Sequence, residues 1–146
     1  MAIKVVSSSP NVEALEMLAD ASTLFTAGSL VYRDTTTGEL KEATATTGDG
    51  TNIEGVTTKT ETTGASEPYI RVLPVHLGMY VVVDCTNATA ANQLNKAHLW
   101  TDARTINNTS THSVDVNATF VALRQVGATT DKKLFGYIVK VGQALA

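Results

Sequence analysis

Residues 24–60 alternate short apolar stretches with turn residues at intervals too brief for a helix, and that rhythm confines the chain to β architecture. The stretch reads as a β-meander. Gly28 feeds a strand at residues 29–33, residues 34–38 turn the chain back, and a second strand occupies 39–43. A polar loop carrying the turn pair Asp49 and Gly50 leads into a third strand at 52–60. Gly55 marks a bulge or a close backbone approach.

Composition supports the same class. Only 17% of the 146 residues are charged, against roughly 25% in an ordinary soluble domain. Threonine, asparagine, serine and glycine fill the polar share. Threonine is β-branched and suits a pleated, half-wet sheet surface better than a helix. The chain is long enough for one domain with its own core. Its net charge of −3, with lysines and arginines scattered, argues against nucleic acid as a partner. No apolar run has the length of a signal-peptide core or a membrane span, so synthesis in a cytosol and a soluble chain are expected. Asn87, Asn107, Asn108 and Asn117 head glycosylation-type triplets, which without a secretory signal read as by-products of Asn- and Thr-rich loops.

Beyond the meander, alternation predicts strands at 69–75, 79–84, 118–126 and 134–141. Pro74 ends the first of these or puts it at an edge. The near-continuous apolar run at 79–84 predicts a central strand buried on both faces. Residues 86–96 lose the alternation and fit a helical turn or long loop. A strand around Trp100 is followed by a loop at 107–111, and Gly136 is a second bulge candidate. The expected whole is a small antiparallel sandwich or barrel of about eight short strands.

Residues 1–23 form a segment apart, an N-terminal arm before a β domain spanning 24–146. Residues 3–6 could pair as a strand. Val12, Ala14, Leu15, Met17, Leu18 and Ala19 are spaced for a short helix starting near Ser9 and Pro10. Such a helix is marginal alone and must dock, either on its own barrel or on a neighbouring subunit.

Reactive groups do not converge in the sequence. Cys85 could in principle pair with His76, His98 or His112, but a cysteine at a strand end is ordinarily a small core side chain. The histidine spacing matches no metal site. Asp34, Glu39, Glu42, Asp49 and Glu54 sit on turns, where solvation explains them, and the residues around Asp49 lack the pattern of a calcium loop. No catalytic residue, cofactor or metal ligand is assigned. A sugar-binding module would need exposed aromatic platforms, so that reading expects Trp100 or one of Tyr32, Tyr69, Tyr80 and Tyr137 at the surface.

Gly28, Leu30, Val31, Asp34, Gly38, Leu40, Ile53, Gly55 and Val56 together carry a pattern: Gly-x-Leu-Val, an aspartate, a Thr-Gly turn, then Ile-x-Gly-Val. With the turn and glycine-containing strand of residues 119–142, this resembles the head-decoration, or cement, proteins of tailed bacteriophages. The longer middle, residues 69–111, departs from the compact members of that class. The resemblance implies a non-enzymatic virion protein on the capsid surface that binds the major capsid protein and stiffens the shell, commonly as a homotrimer. Under that reading the contacts to subunits or shell are Ile3, Val5, Val6, Val12, Leu15 and Leu18 in the arm. Thr57, Lys59 and Glu61 join them on a polar edge strand at 57–63. A carbohydrate- or receptor-binding β-module on the particle, or a tail or tube subunit, are the alternatives.

Overall fold

A computed structural model describes residues 3–7, 13–44, 53–75, 79–112 and 120–138, with backbone alone for Val6, Ser7 and residues 109–112. The protein is all-β. The first half contributes β1 (Lys4–Ser7), β2 (Leu15–Leu18), β3 (Leu24–Phe25), β4 (Leu30–Arg33), β5 (Leu40–Glu42), β6 (Ile53–Thr57), β7 (Glu61–Thr62) and β8 (Tyr69–Pro74). The second half contributes β9 (Tyr80–Cys85), β10 (Ala97–Trp100), β11 (Thr105–His112), β12 (Phe120–Gln125) and β13 (Lys133–Ile138). Among the described residues, only single 3-10 turns at Ala91–Gln93 and Thr129–Asp131 interrupt this pattern. The first of these falls in the stretch after β9 expected to be a helical turn or long loop.

The second-half strands close into a five-strand barrel in the order β9, β11, β10, β12, β13, with β13 pairing back onto β9. Closure removes the exposed edges that an open sheet would present. It also forces a departure from an all-antiparallel arrangement, because strand direction cannot alternate all the way round a ring of odd membership. The one parallel pair is β9 with β11, where Thr105 meets Asp84 and Ile106 meets Cys85. β1 occupies the rest of that β9 edge, with Val5 opposite Val81.

The first-half strands form a second sheet in the order β2, β8, β6, β4, β5. It too curls towards closure through a parallel contact, the Ala19–Leu40 bridge, where Asp20 N donates to Leu40 O at 2.9 Å. Inside this curl lie Ala19, Phe25, Val31, Leu40, Ile70 and Val72. Its opposite face contributes Leu30, Ile53 and Val56 to the main core, alongside Val81, Val83, Ile106, Phe120 and Leu134 of the barrel. Main-chain bonds join the two sheets: Leu30 N donates to Ala103 O at 2.8 Å, and Ile3 N, just before β1, donates to Gly28 O at 2.9 Å. Arg104 spans the same junction, donating to Ser29 Oγ at 2.8 Å beside Glu42.

Several expectations require correction. The 24–60 stretch is not a meander: β4 lies in the middle, flanked by β5 on one side and β6 on the other. β4 buries Leu30 on one face and Val31 on the other, so it needs cover and partners on both sides. The expected helix at Leu15–Leu18 is strand β2, paired residue for residue with β8. Tertiary pairing supplies backbone partners that so short an isolated helix could not retain. β9 is central but not buried on both faces; its side chains alternate, inward at Val81, Val83 and Cys85 and partly exposed at Tyr80, Val82 and Asp84. Residues 107–111 are no loop but part of β11. Asn108 can lie buried there because Asn87 N donates to its Oδ1 at 3.0 Å and its Nδ2 donates to Asn87 O at 2.9 Å. The turn pair Asp49 and Gly50 and the proposed helix start at Ser9 and Pro10 lie outside the described residues.

Candidate docking surface

The groups that could carry chemistry are dispersed. Cys85 is buried on the inner face of β9, and burial pushes its thiol up to about 12. A cavity of about 420 Å³ opens beside it. Two of that cavity's lining groups, Lys133 Nζ and Asp84 Oδ1, are spent on each other at 2.6 Å. His98 is fully buried, with Nε2 2.9 Å from the carbonyl oxygen of Gln93. His76 lies outside the described residues, as does the side chain of His112. Among the described residues no three His, Cys, Asp or Glu side chains gather to hold a metal, and no helix is long and apolar enough to cross a membrane. Trp100 packs inward with its ring 6.3 Å from that of Phe120.

Three of the acidic turn residues are partnered. Asp34 Oδ1 accepts from Thr36 N at 2.7 Å and Asp34 Oδ2 meets Lys41 at 3.0 Å, and these contacts hold its carboxyl below the usual range. Glu54 pairs with Arg33, and Glu42 with Arg104.

One ribbon is unlike the rest. β2 runs against β8 from Leu15 opposite Val72 to Leu18 opposite Tyr69. The ladder continues past the strand ends, with Ala19 N donating to Pro68 O at 2.7 Å and Thr63 N to Thr23 O at 2.9 Å. It finishes with Leu24 opposite Thr62 in the β3–β7 pair. Thr63 pins the join: its Oγ1 donates to Asp20 O at 2.6 Å and accepts from Thr23 N at 2.9 Å. The result is one long antiparallel ribbon.

Four of the five exposed large apolar side chains among the described residues lie on it: Leu15 (53% exposed), Leu18 (41%), Leu24 (58%) and Tyr69 (52%). Leu18 and Tyr69, directly opposite each other, share one face, whereas Leu15, opposite buried Val72, is on the other. Each forgoes part of the roughly 1.5–3 kcal/mol that full burial of such a side chain provides. Among the described residues β2 pairs with β8 alone, so its outer edge offers backbone donors and acceptors to another strand. Glu13, Glu16 and Glu67 are exposed close by in the chain, against Arg71 opposite Glu16.

The sequence-derived contact residues separate into distinct environments. Leu15 and Leu18 are on this ribbon. Ile3 is buried in the main core, Val5 packs against it, and Val6 lies in β1 as backbone only. Val12 is outside the described residues. Thr57 is buried, whereas Lys59 is exposed and 3.8 Å from Glu61. The polar edge strand expected at 57–63 does not exist as such. β6 lies between β8 and β4 and ends at Thr57, and after a turn Glu61 and Thr62 pair with β3. Sequence reasoning missed Leu24 as a surface group and named Tyr69 only among the tyrosines that a sugar-binding module would expose. The signal was present for Tyr69, because alternation that sends Ile70 and Val72 inward sends Tyr69 outward.

No protein-family model matches this chain, and no curated protein matches it.

Proposed function

We propose that the chain is a non-enzymatic virion structural protein that binds the outer surface of an assembled phage capsid, contacts the major capsid protein and stabilises the shell as a homotrimer. Its place is the virion surface. The observation that carries this reading is the concentration of exposed Leu15, Leu18, Leu24 and Tyr69 on one ribbon with a strand edge beside them. Such a surface suits strand addition and apolar contact with another protein. A closed, threonine-rich barrel behind it suits a rigid clamp. Many copies on one shell bind by avidity, so each contact can remain modest.

The test is titration of the chain onto expanded empty shells of the source particle, reading occupancy and shell melting temperature. Wild-type protein is expected to saturate the surface and raise shell stability. Leu15→Ser, Leu18→Ser and Tyr69→Ser combined should weaken binding about tenfold or more, the equivalent of about 1.4 kcal/mol. Absence of binding by the wild type, or equal occupancy by the variant, would overturn the reading.

A further inference from the structure

The fifth exposed large apolar side chain, Tyr80, lies away from the ribbon, on the outer face of the closed barrel. There β9, β13 and β12 run side by side, with Tyr80 opposite Tyr137 and Phe135 opposite Arg124. The Tyr80 and Phe135 rings stack with centroids 5.6 Å apart and planes 6° from parallel. Tyr137 meets Tyr80 edge-on at 6.2 Å and 74°. The Arg124 guanidinium lies 4.6 Å from the Phe135 centroid. Aromatic ring, aromatic ring and guanidinium thus form a row across three neighbouring strands.

Arg124 is exposed and makes no ion pair among the described residues, unlike Arg33 with Glu54 and Arg104 with Glu42. The cation–π contact with Phe135 holds its guanidinium at the ring while leaving N–H groups able to donate. The carboxylate on this face, Asp84, is already engaged by Lys133 at 2.6 Å. Exposed Lys4, opposite Val82 on β1, adds a second positive charge beside the row. On a chain of net charge −3 this is a local cationic spot framed by aromatic rings.

We propose that this barrel face binds a carboxylated saccharide, with Tyr80 and Tyr137 contacting the sugar ring and Arg124 gripping the carboxylate. A carboxylate matches the guanidinium fork in bidentate geometry. The apolar face of a pyranose matches a half-exposed tyrosine ring, whose hydroxyl supplies a polar contact to the same ligand. A bare phosphate would need the charge but not the rings. The site is separate from the ribbon, so it stands or falls independently of shell attachment.

Calorimetric titration of the intact chain would use tetragalacturonate, a hyaluronate tetrasaccharide and sialyllactose, with methyl-esterified tetragalacturonate and linear polyphosphate as controls. At least one carboxylated sugar is expected to bind with a submillimolar Kd. Polyphosphate should bind at least tenfold more weakly than that sugar, and where the sugar is tetragalacturonate so should its ester. Arg124→Gln should weaken sugar binding tenfold or more and Arg124→Lys several-fold, both with thermal unfolding like the wild type. The Leu15, Leu18 and Tyr69 triple variant should bind sugar normally. No binding by any of the three sugars, equal binding of ester and acid, polyphosphate binding as tightly as sugar, or an unaffected Arg124→Gln would each overturn the proposal.

Discussion

Gly136 on β13 faces the carbonyl oxygen of Val121 on β12 so closely that a β-carbon at position 136 would overlap it, with the ring of Phe120 also in the way. The register slips on β12 between Ala122 and Arg124, the residues opposite Gly136 and Phe135. Bulge and glycine together let the strand bend into the closed barrel.

Gly136→Ala is therefore expected to destabilise the fold by about 3 kcal/mol, at the upper end for overpacking, because the obstacle is backbone that cannot rotate away. Gly38 provides the contrast. It has a φ of +76° but open space around its α-carbon, so Gly38→Ala should cost only about 1–2 kcal/mol from backbone strain. Urea unfolding of both variants checks this. A Gly136→Ala cost no larger than that of Gly38→Ala would mean the close approach is not maintained in solution.

Thr57 should behave as a core residue and not as a surface contact. Its Oγ1 donates to Thr26 O at 2.6 Å and accepts from Ser29 N at 3.0 Å, in a buried setting. Thr57→Val keeps the shape and removes the hydroxyl, leaving Ser29 N–H without that acceptor. The expected loss is about 1–3 kcal/mol in urea unfolding. Thr57→Ser, which retains the hydroxyl, should recover most of the hydrogen-bonding part. Equal losses for the two variants would show that packing, not hydrogen bonding, sets the cost.

Cys85 governs an alkaline limb of stability. Burial raises its thiol from 9.0 to about 12. In the unfolded chain the thiol loses its proton near pH 9, while the folded chain keeps it, so the unfolded state binds fewer protons above that point. Stability contributed by this group is complete below pH 9 and is lost as pH rises from 9 towards 12. Cys85→Ala should therefore flatten the fall in urea midpoint across that window relative to wild type. Alkylation at pH 8 should be slow in the native protein and fast in denaturant. Rapid native alkylation would contradict the buried placement.

The ribbon should be separable from folding. Leu15, Leu18 and Tyr69 are exposed, so replacing all three with serine is expected to change unfolding free energy by less than about 1.5 kcal/mol, three surface substitutions of about 0.5 each. A much larger loss would mean these side chains support the protein's own fold, and reduced shell binding by the variant would then say nothing about contact.

Which residues form strands was legible to a considerable degree because alternation is a local property. Leu30–Arg33, Tyr69–Pro74, Phe120–Gln125 and Lys133–Ile138 all stand where the pattern of apolar and polar residues placed strands. Gly55 announced a bulge or close approach and makes the latter, while Gly136, read as a bulge candidate, makes a close approach opposite the register slip of β12. Asn108 shows why other parts were hidden. Its polar run looks like a loop until Asn87, twenty-one positions away in the chain, satisfies the amide and lets the segment remain in the sheet. Residues 15–18 misled for a related reason: apolar spacing in so short a segment fits more than one local structure, and only β8 as a partner decides between them. Of the docking surface, Leu15 and Leu18 could be named from sequence as apolar residues lacking an obvious place in a small core. Leu24 could not, since its exposure depends on β3 turning Phe25 into the curl and Leu24 outward.

By itself the sequence determined an all-β chain, the turn positions, the crowded glycines and the absence of any recognisable catalytic spacing, all of which follow from side-chain alternation and local backbone preference. Only the tertiary structure decided strand order, the parallel pair that closes the barrel and the parallel bridge between Ala19 and Leu40 in the second sheet, and which apolar side chains remain in water. Those features depend on partners distant in the chain. Hydrogen-bond pairing and burial are settled between segments, and no local pattern specifies which distant segment will supply the other half.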